Sequence, residues 1–292
     1  MKNRLAYRLF AILLFAVLLN GCATKWQPSW REFAEVSPGQ ASPGLLDAAR
    51  KKFESADNRE RLQDAIAAYN KVLQAGPTNI EALTRLRSQT ILMGTAYTEG
   101  RSAKAKVFQR AMKYAEQAMY TNPDFKKQVD GGATPWEAVA STNKREVEAV
   151  MLWVTALQYE FKEAMGLIGK ITNIRRLRNT LPMLKHIEKI APDFGGGSIE
   201  LALSIDYFVL PGSMGGDDAL GEAYMKKTVE KHKDWLIGRW ARGKYYQDLS
   251  GNKGGTREDL QWVASRDISK FKDPYPWRVH FKENALDLLA EE

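Results

Sequence analysis

The sequence predicts an all-α protein, and three observations carry that prediction. Apolar residues recur at steps of three and four over long segments, for example Val147, Val150, Val154, Leu157 and Phe161. No series of alternating apolar and polar residues indicates strands. One helical pattern also occurs three times along the chain, so we expect helices stacked in an array.

The repeated pattern combines small, bulky and apolar residues with a proline. A small residue lets two helices approach, a bulky residue four positions later fills the groove between them, and the proline ends the helix. This spacing is that of the second helix of a tetratricopeptide repeat. The three copies are Ala65, Tyr69, Val72 and Pro77; Ala111, Ala115, Ala118 and Pro123; and Thr180, Leu184, Ile187 and Pro192.

The three prolines are unevenly spaced, and both intervals exceed the repeat length of about 34 residues. The first interval needs lengthened helices or an inserted turn, and the second fits two repeats with a degenerate middle copy. We therefore predict irregular tetratricopeptide-like repeats, stacked as an α-solenoid or as a helical bundle. Ser55, Asp57 or Asn58 is the expected cap of the first repeat helix.

The first residues have the composition of a secretory signal. Lys2, Arg4 and Arg8 precede an apolar run at residues 9–18, which is too short to span a bilayer as a mature helix. The run leads into Leu-Asn-Gly followed by Cys22, the only cysteine of the chain. This is a lipobox pattern, so we predict cleavage before Cys22 and acylation of its thiol and amine. The alternative is an ordinary secreted protein with a cysteine at its cleavage site.

Three segments follow from this interpretation: a lipoprotein signal peptide at residues 1–21, a lipidated N-terminus and flexible tether at 22–44, and a helical repeat domain at 45–292. Two or three acyl chains on one residue make a durable membrane anchor, whereas one chain binds only marginally. The tether contains prolines and glycines that break helices. Ala23, where an aspartate would favour retention at the inner membrane, favours the outer membrane. We expect the protein to be anchored in the cell envelope, facing the periplasm.

Charge and cysteine content exclude two further classes. The net charge of +8 includes three cations of the signal segment, and the densest basic cluster is Arg175-Arg176-Leu177-Arg178. We interpret that cluster as a solvated helix end, and we predict no nucleic-acid partner. A single cysteine allows no disulfide framework, so stability must come from packing.

No catalytic or metal-binding constellation stands out. His186, His232 and His280 lie far apart, without metal-ligand spacing, and no Gly-x-Ser-x-Gly elbow is present. The glycine run at residues 195–197 predicts a turn between helices, and Asp217 with Asp218 predicts a helix N-terminus. We therefore expect a protein that is not an enzyme and binds no metal or cofactor.

The middle and C-terminal thirds resemble the TatT family, the tetratricopeptide lipoproteins associated with TRAP transporters. The resemblance runs from about Arg61 to the C-terminus, and the family also carries a lipobox. Its most telling element is Gly-Gly-Asp after Leu-Pro, placed before a helix with an aromatic residue. The matching segments, in order, are Ala111 to Phe125, Trp153, Ala191-Pro192-Asp193-Phe194 with three glycines, Leu210-Pro211, Gly215-Gly216-Asp217 and Tyr224.

The resemblance implies an accessory component of a TRAP transport system. Such a component would dock the periplasmic solute-binding subunit as a homotrimer, and an apolar channel would pass a hydrophobic or amphipathic small molecule. Trp153, Tyr207 and Phe208 are the candidate lining residues, although aromatic residues in apolar helices more often belong to the core. The alternatives are an outer-membrane or envelope assembly scaffold that binds peptide or protein clients, and an enzyme for which the sequence offers no site.

Overall fold

The computed structural model describes residues 41–251 and 256–291. Cys22, the signal peptide and most of the predicted tether lie outside the described residues. Within them the chain is helical and contains no strand, which confirms the predicted all-α fold. The first described helix begins at Pro43, close to the predicted start of the helical domain.

Thirteen helices longer than one turn occur in the described residues, with a single-turn helix at Pro135–Ala138 and a π-helical turn at Glu160–Ala164. Their bounds are α1 Pro43–Glu54, α2 Arg59–Ala75, α3 Ile80–Tyr97, α4 Arg101–Tyr120, α5 Pro123–Asp130, α6 Val147–Tyr159, α7 Leu167–Arg178, α8 Thr180–Ile190, α9 Ser198–Val209, α10 Asp218–Lys231, α11 Ile237–Ser250, α12 Thr256–Ala264 and α13 Tyr275–Glu291.

Side-chain caps begin two of these helices where the sequence predicts them. The Asn58 side chain accepts a hydrogen bond from the Arg61 amide at 3.0 Å, so Asn58 is the cap of the first repeat helix. Asp217 accepts one from the Leu220 amide at 3.0 Å and caps α10. Each cap satisfies an amide that the helix itself leaves without a partner.

The repeat pattern predicts burial correctly. All nine helical positions of the three copies lie on α2, α4 and α8 and are fully buried. The first long interval arises from lengthened helices, since α3 has 18 residues and α4 has 20. The second contains the four helices α5 to α8, with the single-turn helix between α5 and α6 and the π-helical turn after α6. Pro123 begins α5 rather than merely ending α4, because proline is tolerated at a first helical position.

Consecutive helices pack as pairs, and the array closes on itself. Contacts join α1 to α2, α2 to α3, α3 to α4, α9 to α10, α11 to α12 and α12 to α13. The last helix also contacts the first, and Trp277 Nε1 on α13 donates a hydrogen bond to Ser88 Oγ on α3 at 2.9 Å. The described residues include no helix with the length and apolar character needed to cross a membrane.

Candidate functional site

An apolar cavity of about 520 Å³ lies where α3, α6, α9, α11 and α13 converge. This volume is in the range typical of small-molecule sites, about 300–1,000 Å³. Aliphatic and aromatic side chains form most of the wall. They include Met151, Leu152, Tyr159, Phe161, Leu201, Ile205, Val209, Ile237, Trp240, Leu249, Trp277 and Phe281.

The charged residues of the wall are mostly cationic. Arg85, Lys162, Lys170 and Lys272 line the cavity, against two carboxylates. Lys162 is 48% exposed and Lys272 67% exposed, so the cavity reaches the surface at these residues. Lys162 and Lys272 pair with Asp248 and Asp234, so Lys170 is the wall cation without an ion-pair partner among the described residues. An apolar interior suits an apolar or amphipathic molecule, and Lys170 can bind an anionic group on it.

The two carboxylates of the wall are held by the protein itself. Glu148 pairs with Arg85 at 3.4 Å. Asp273 accepts hydrogen bonds from the backbone amides of Leu236 and Ile237 at 2.7 and 3.2 Å, and so fixes the start of α11. Burial raises the pKa of Asp273 to about 6. Both carboxylates are therefore engaged in holding the wall in place.

A π-helical turn brings one side of the wall into position. It continues α6 at Glu160–Ala164, and its residues Phe161 and Lys162 line the cavity. The buried Glu160 carboxylate anchors the turn, because it accepts from Gln109 Nε2 at 2.7 Å and from Arg176 at 3.3 Å. Phe161 continues the three- and four-residue spacing of Val154 and Leu157, yet those two lie in the core whereas Phe161 lines the cavity. The altered register of a π-helical turn accounts for this difference.

The glycine run between α8 and α9 forms another part of the wall. Residues 195–197 all have positive φ, as a left-handed turn requires, and Gly195 lines the cavity. A Cβ at Gly196 would lie 1.8 Å from the Trp235 ring, which is also part of the wall. The predicted inter-helix turn is confirmed, and the missing side chain of Gly196 leaves room for that ring.

A buried polar cluster underlies the wall at α6, α8 and α9. Gln158 Nε2 donates to Asp206 Oδ1 at 2.9 Å and to the Ala202 carbonyl at 3.0 Å. The Thr180 hydroxyl donates to the other Asp206 oxygen. Asp206 is 0% exposed, and this burial raises its pKa to about 7.

Asp206→Asn should change how stability depends on pH. The folded protein keeps the Asp206 proton up to about pH 7, whereas an unfolded aspartate with a pKa of 3.8 releases it earlier. The folded state therefore holds more protons in this window, and the contribution of Asp206 to stability falls as pH rises. Relative to wild type, we expect the variant to gain up to about 4 kcal/mol of unfolding free energy between about pH 4 and about pH 8.

Denaturant titrations of both proteins across this pH range measure the effect. Asp273, whose pKa is also raised, and His280, whose pKa is lowered to about 3 by burial, contribute equally to both proteins and cancel in the difference. A difference in unfolding free energy that stays constant with pH would contradict the buried, protonated state of Asp206.

The three aromatic residues selected from the sequence lie outside the cavity wall. Trp153 is 1% exposed in the main core, and its Nε1 donates to Glu116 at 3.1 Å. Tyr207 stacks on Tyr224 with ring centroids 5.6 Å apart. Phe208 packs on Gly221, where a Cβ would lie 2.9 Å from its ring. All three side chains pack against other helices.

The residues that do form the wall are their neighbours on the same helices. Leu152 and Thr155 lie beside Trp153 on α6, and Leu201, Ile205 and Val209 lie on α9. The sequence signal for these wall residues is the width of the apolar surface on α6 and α9. Both helices are apolar around most of their circumference, which indicates contact on more than one side.

The histidines lie at separate places in the fold. His186 Nε2 is 3.1 Å from the Thr142 carbonyl, His232 lies beside Glu200, and His280 packs against Trp240 and Trp277. Among the residues that the structure describes, no three His, Cys, Asp or Glu side chains are grouped as metal ligands.

No protein-family model matches the chain, and no curated protein matches it in sequence. The geometry of the cavity therefore carries the functional argument. Membership of the TatT family stays a prediction from the motifs.

Proposed function

We propose that the protein is a non-enzymatic, lipid-anchored accessory component of a TRAP-type transport system. In this proposal it faces the periplasm, docks the solute-binding subunit and holds a hydrophobic or amphipathic small molecule. Two sequence features support it: the lipobox ending at Cys22 and the succession of TatT-like motifs. The homotrimer that the resemblance implies belongs to the same proposal.

The single observation that carries the small-molecule part is the apolar cavity between the helices. Its wall comes from both the N-terminal and the C-terminal parts of the array, with Ser88 on α3 and Trp277 on α13 joined directly by a hydrogen bond. An apolar guest would gain about 25 cal/mol for each Å² of apolar surface removed from water. Lys170 in the wall adds attraction for an anionic headgroup.

Filling the cavity tests this function. Thr155→Trp with Ile205→Trp places one indole ring on each of two wall helices, α6 and α9, so we expect binding of the apolar dye N-phenyl-1-naphthylamine to weaken at least tenfold. The dye's fluorescence is measured with the full chain carrying Cys22→Ser, so that no attached acyl chain competes. Circular dichroism checks that the helices persist.

The matched control is Leu220→Trp with Leu286→Trp. Both leucines are exposed, at 41% and 49%, and neither lines the cavity. These substitutions add the same side chains without filling the cavity, so dye binding should be unchanged. Equal loss of binding in both double variants would contradict a ligand site in this cavity.

Docking of the solute-binding subunit is tested by co-purification from envelope membranes, followed by mass spectrometry. We expect a periplasmic solute-binding protein encoded beside a TRAP permease. Recovery of outer-membrane assembly factors in its place would favour the scaffold function.

A further inference from the structure

The outer face of α7 combines exposed aliphatic side chains with arginines. Leu167, Ile168 and Ile171 are 75%, 74% and 56% exposed, the three highest values among the large exposed hydrophobic residues of the described chain. Arg175 and Arg178 are also exposed. At about 100° per residue these five positions fall on one side of the helix. We call this set the α7 face.

The α7 face is not needed to hold the helix in place. The inner side of α7 carries Ile174 and Leu177, which pack in a cluster with Phe161 and Leu210. That cluster already buries the side of the helix that faces the protein. The aliphatic residues of the α7 face therefore lie on the side opposite to the core, where exposure of apolar surface is unfavourable without a partner.

The charges on this helix have one sign. Its sequence, LIGKITNIRRLR, contains four cations and no acidic residue. Arg176 pairs with Glu160, whereas neither Arg175 nor Arg178 has an ion-pair partner among the described residues. The helix dipole accounts for arginines in a last turn. It does not account for three exposed aliphatic residues on the same side.

We propose that the α7 face binds the surface of an anionic phospholipid bilayer. Leu167, Ile168 and Ile171 would enter the boundary between headgroups and acyl chains, and Arg175 and Arg178 would bind lipid phosphates. Apolar and basic side chains on one exposed helix are the combination that interfacial helices use. The α7 face complements such a surface in both charge and polarity.

A second copy of the chain fits this face less well. A stable interface between two proteins buries about 800 Å² on each partner, more than a single short helix face with three aliphatic residues provides. In a two-fold dimer, two α7 faces would also bring unpaired arginines together. In the proposed homotrimer the α7 face would instead meet a different surface of the next copy, an arrangement that the third outcome of the test below detects. An anionic bilayer supplies the negatively charged groups that Arg175 and Arg178 can pair with.

The contact would orient the molecule. Lys170 and Leu177, which lie seven positions apart on the inner side of the same helix, line the cavity. Binding through the α7 face thus places the cavity beside the lipid. The bilayer contact does not depend on what the cavity holds, so it can be tested separately from the proposed function.

A fluorescent label on the α7 face tests the contact directly. In the full chain carrying Cys22→Ser, Ile168→Cys provides the only thiol, which is labelled with the polarity-sensitive dye NBD. The vesicles are phosphatidylcholine alone or with about 30% phosphatidylglycerol. We expect the NBD emission to rise and shift to the blue with the anionic vesicles only. The label reads its own surroundings, so attachment of residues 1–40 to the vesicle does not mimic the result.

Two controls and one charge-removal variant make the result specific. NBD on Leu220→Cys, an exposed position on α10, should not respond. Arg175→Gln with Arg178→Gln should lower the affinity of the α7 face for anionic vesicles about 25-fold, because each arginine near the surface contributes about fivefold. Lys51→Gln with Lys71→Gln removes the same charge elsewhere and should leave the response in place.

Three outcomes would overturn the proposal. The first is no change at position 168 with anionic vesicles. The second is an equal change at positions 168 and 220. The third is a change at position 168 that follows protein concentration without vesicles, which would show that a second copy covers the α7 face.

Discussion

Trp153→Ala should lower the unfolding free energy by about 3–5 kcal/mol, the range for truncating a buried tryptophan. Trp153 is 1% exposed on α6, tilts against Trp136 with ring centroids 6.3 Å apart, and donates to Glu116. The truncation opens a hole in the core and removes this hydrogen bond. Denaturant unfolding, followed by circular dichroism, measures the loss.

Two variants separate core packing from ligand contact at this position. Trp153→Phe keeps most of the apolar volume but loses the N–H donor, so about 1–2 kcal/mol should be lost. Trp235→Ala removes a half-buried ring from the cavity wall and should impair dye binding more than stability. A Trp153→Ala protein as stable as wild type, with dye binding lost, would reverse this assignment and restore Trp153 as a lining residue.

Gly196→Ala should destabilise the protein by about 2–5 kcal/mol. The residue has a φ of +58°, where an L side chain costs about 1–2 kcal/mol, and its Cβ would collide with the Trp235 ring. Forcing that ring aside adds about 1–3 kcal/mol of overpacking. We therefore expect a lower midpoint of chemical denaturation than in wild type. The Trp235 ring should also be displaced from the cavity wall.

Gly100→Ala is the matched control. Gly100 also has a positive φ, +77°, yet nothing lies within 4 Å of its Cβ position. The Gly100→Ala variant should lose only about 1–2 kcal/mol of unfolding free energy, the backbone part of the cost. Its dye binding should be unchanged. Equal losses in the two variants would mean that the Trp235 contact contributes nothing, and that the glycine run is required for its backbone alone.

Local patterns predicted much of the helical framework. The copies centred on Tyr69, Ala115 and Leu184 identify buried helix faces correctly, since spacing by three and four residues determines which side chains share a face. Caps such as Asn58 and Asp217 are equally local, because a side-chain oxygen needs only the amide three residues ahead. The exposed Arg175 and Arg178 were also correctly placed at a helix end.

The cavity wall was not predictable in the same way. Trp153 lies in the core and Ile205 lies in the cavity wall, yet the sequence periodicity describes both in the same way, as apolar residues of apolar helices. Periodicity does not say whether such a face meets another helix or an open space, since that depends on how distant helices pack. The π-helical turn adds a second reason. Phe161 continues the sequence spacing of Val154 and Leu157, which would place it in the same core, but the turn changes the register and Phe161 lines the cavity.

The amino-acid sequence by itself determined the helical class, the buried stripes, the turns and the lipobox, since each depends on residues close together in the chain. The tertiary structure decided the cavity, the buried Asp206 cluster and the exposed α7 face. Ser88 and Trp277 are 189 positions apart, and their hydrogen bond joins opposite ends of the array. Closure over that distance is a property of how helices stack, and it brings separate apolar stripes together around one cavity.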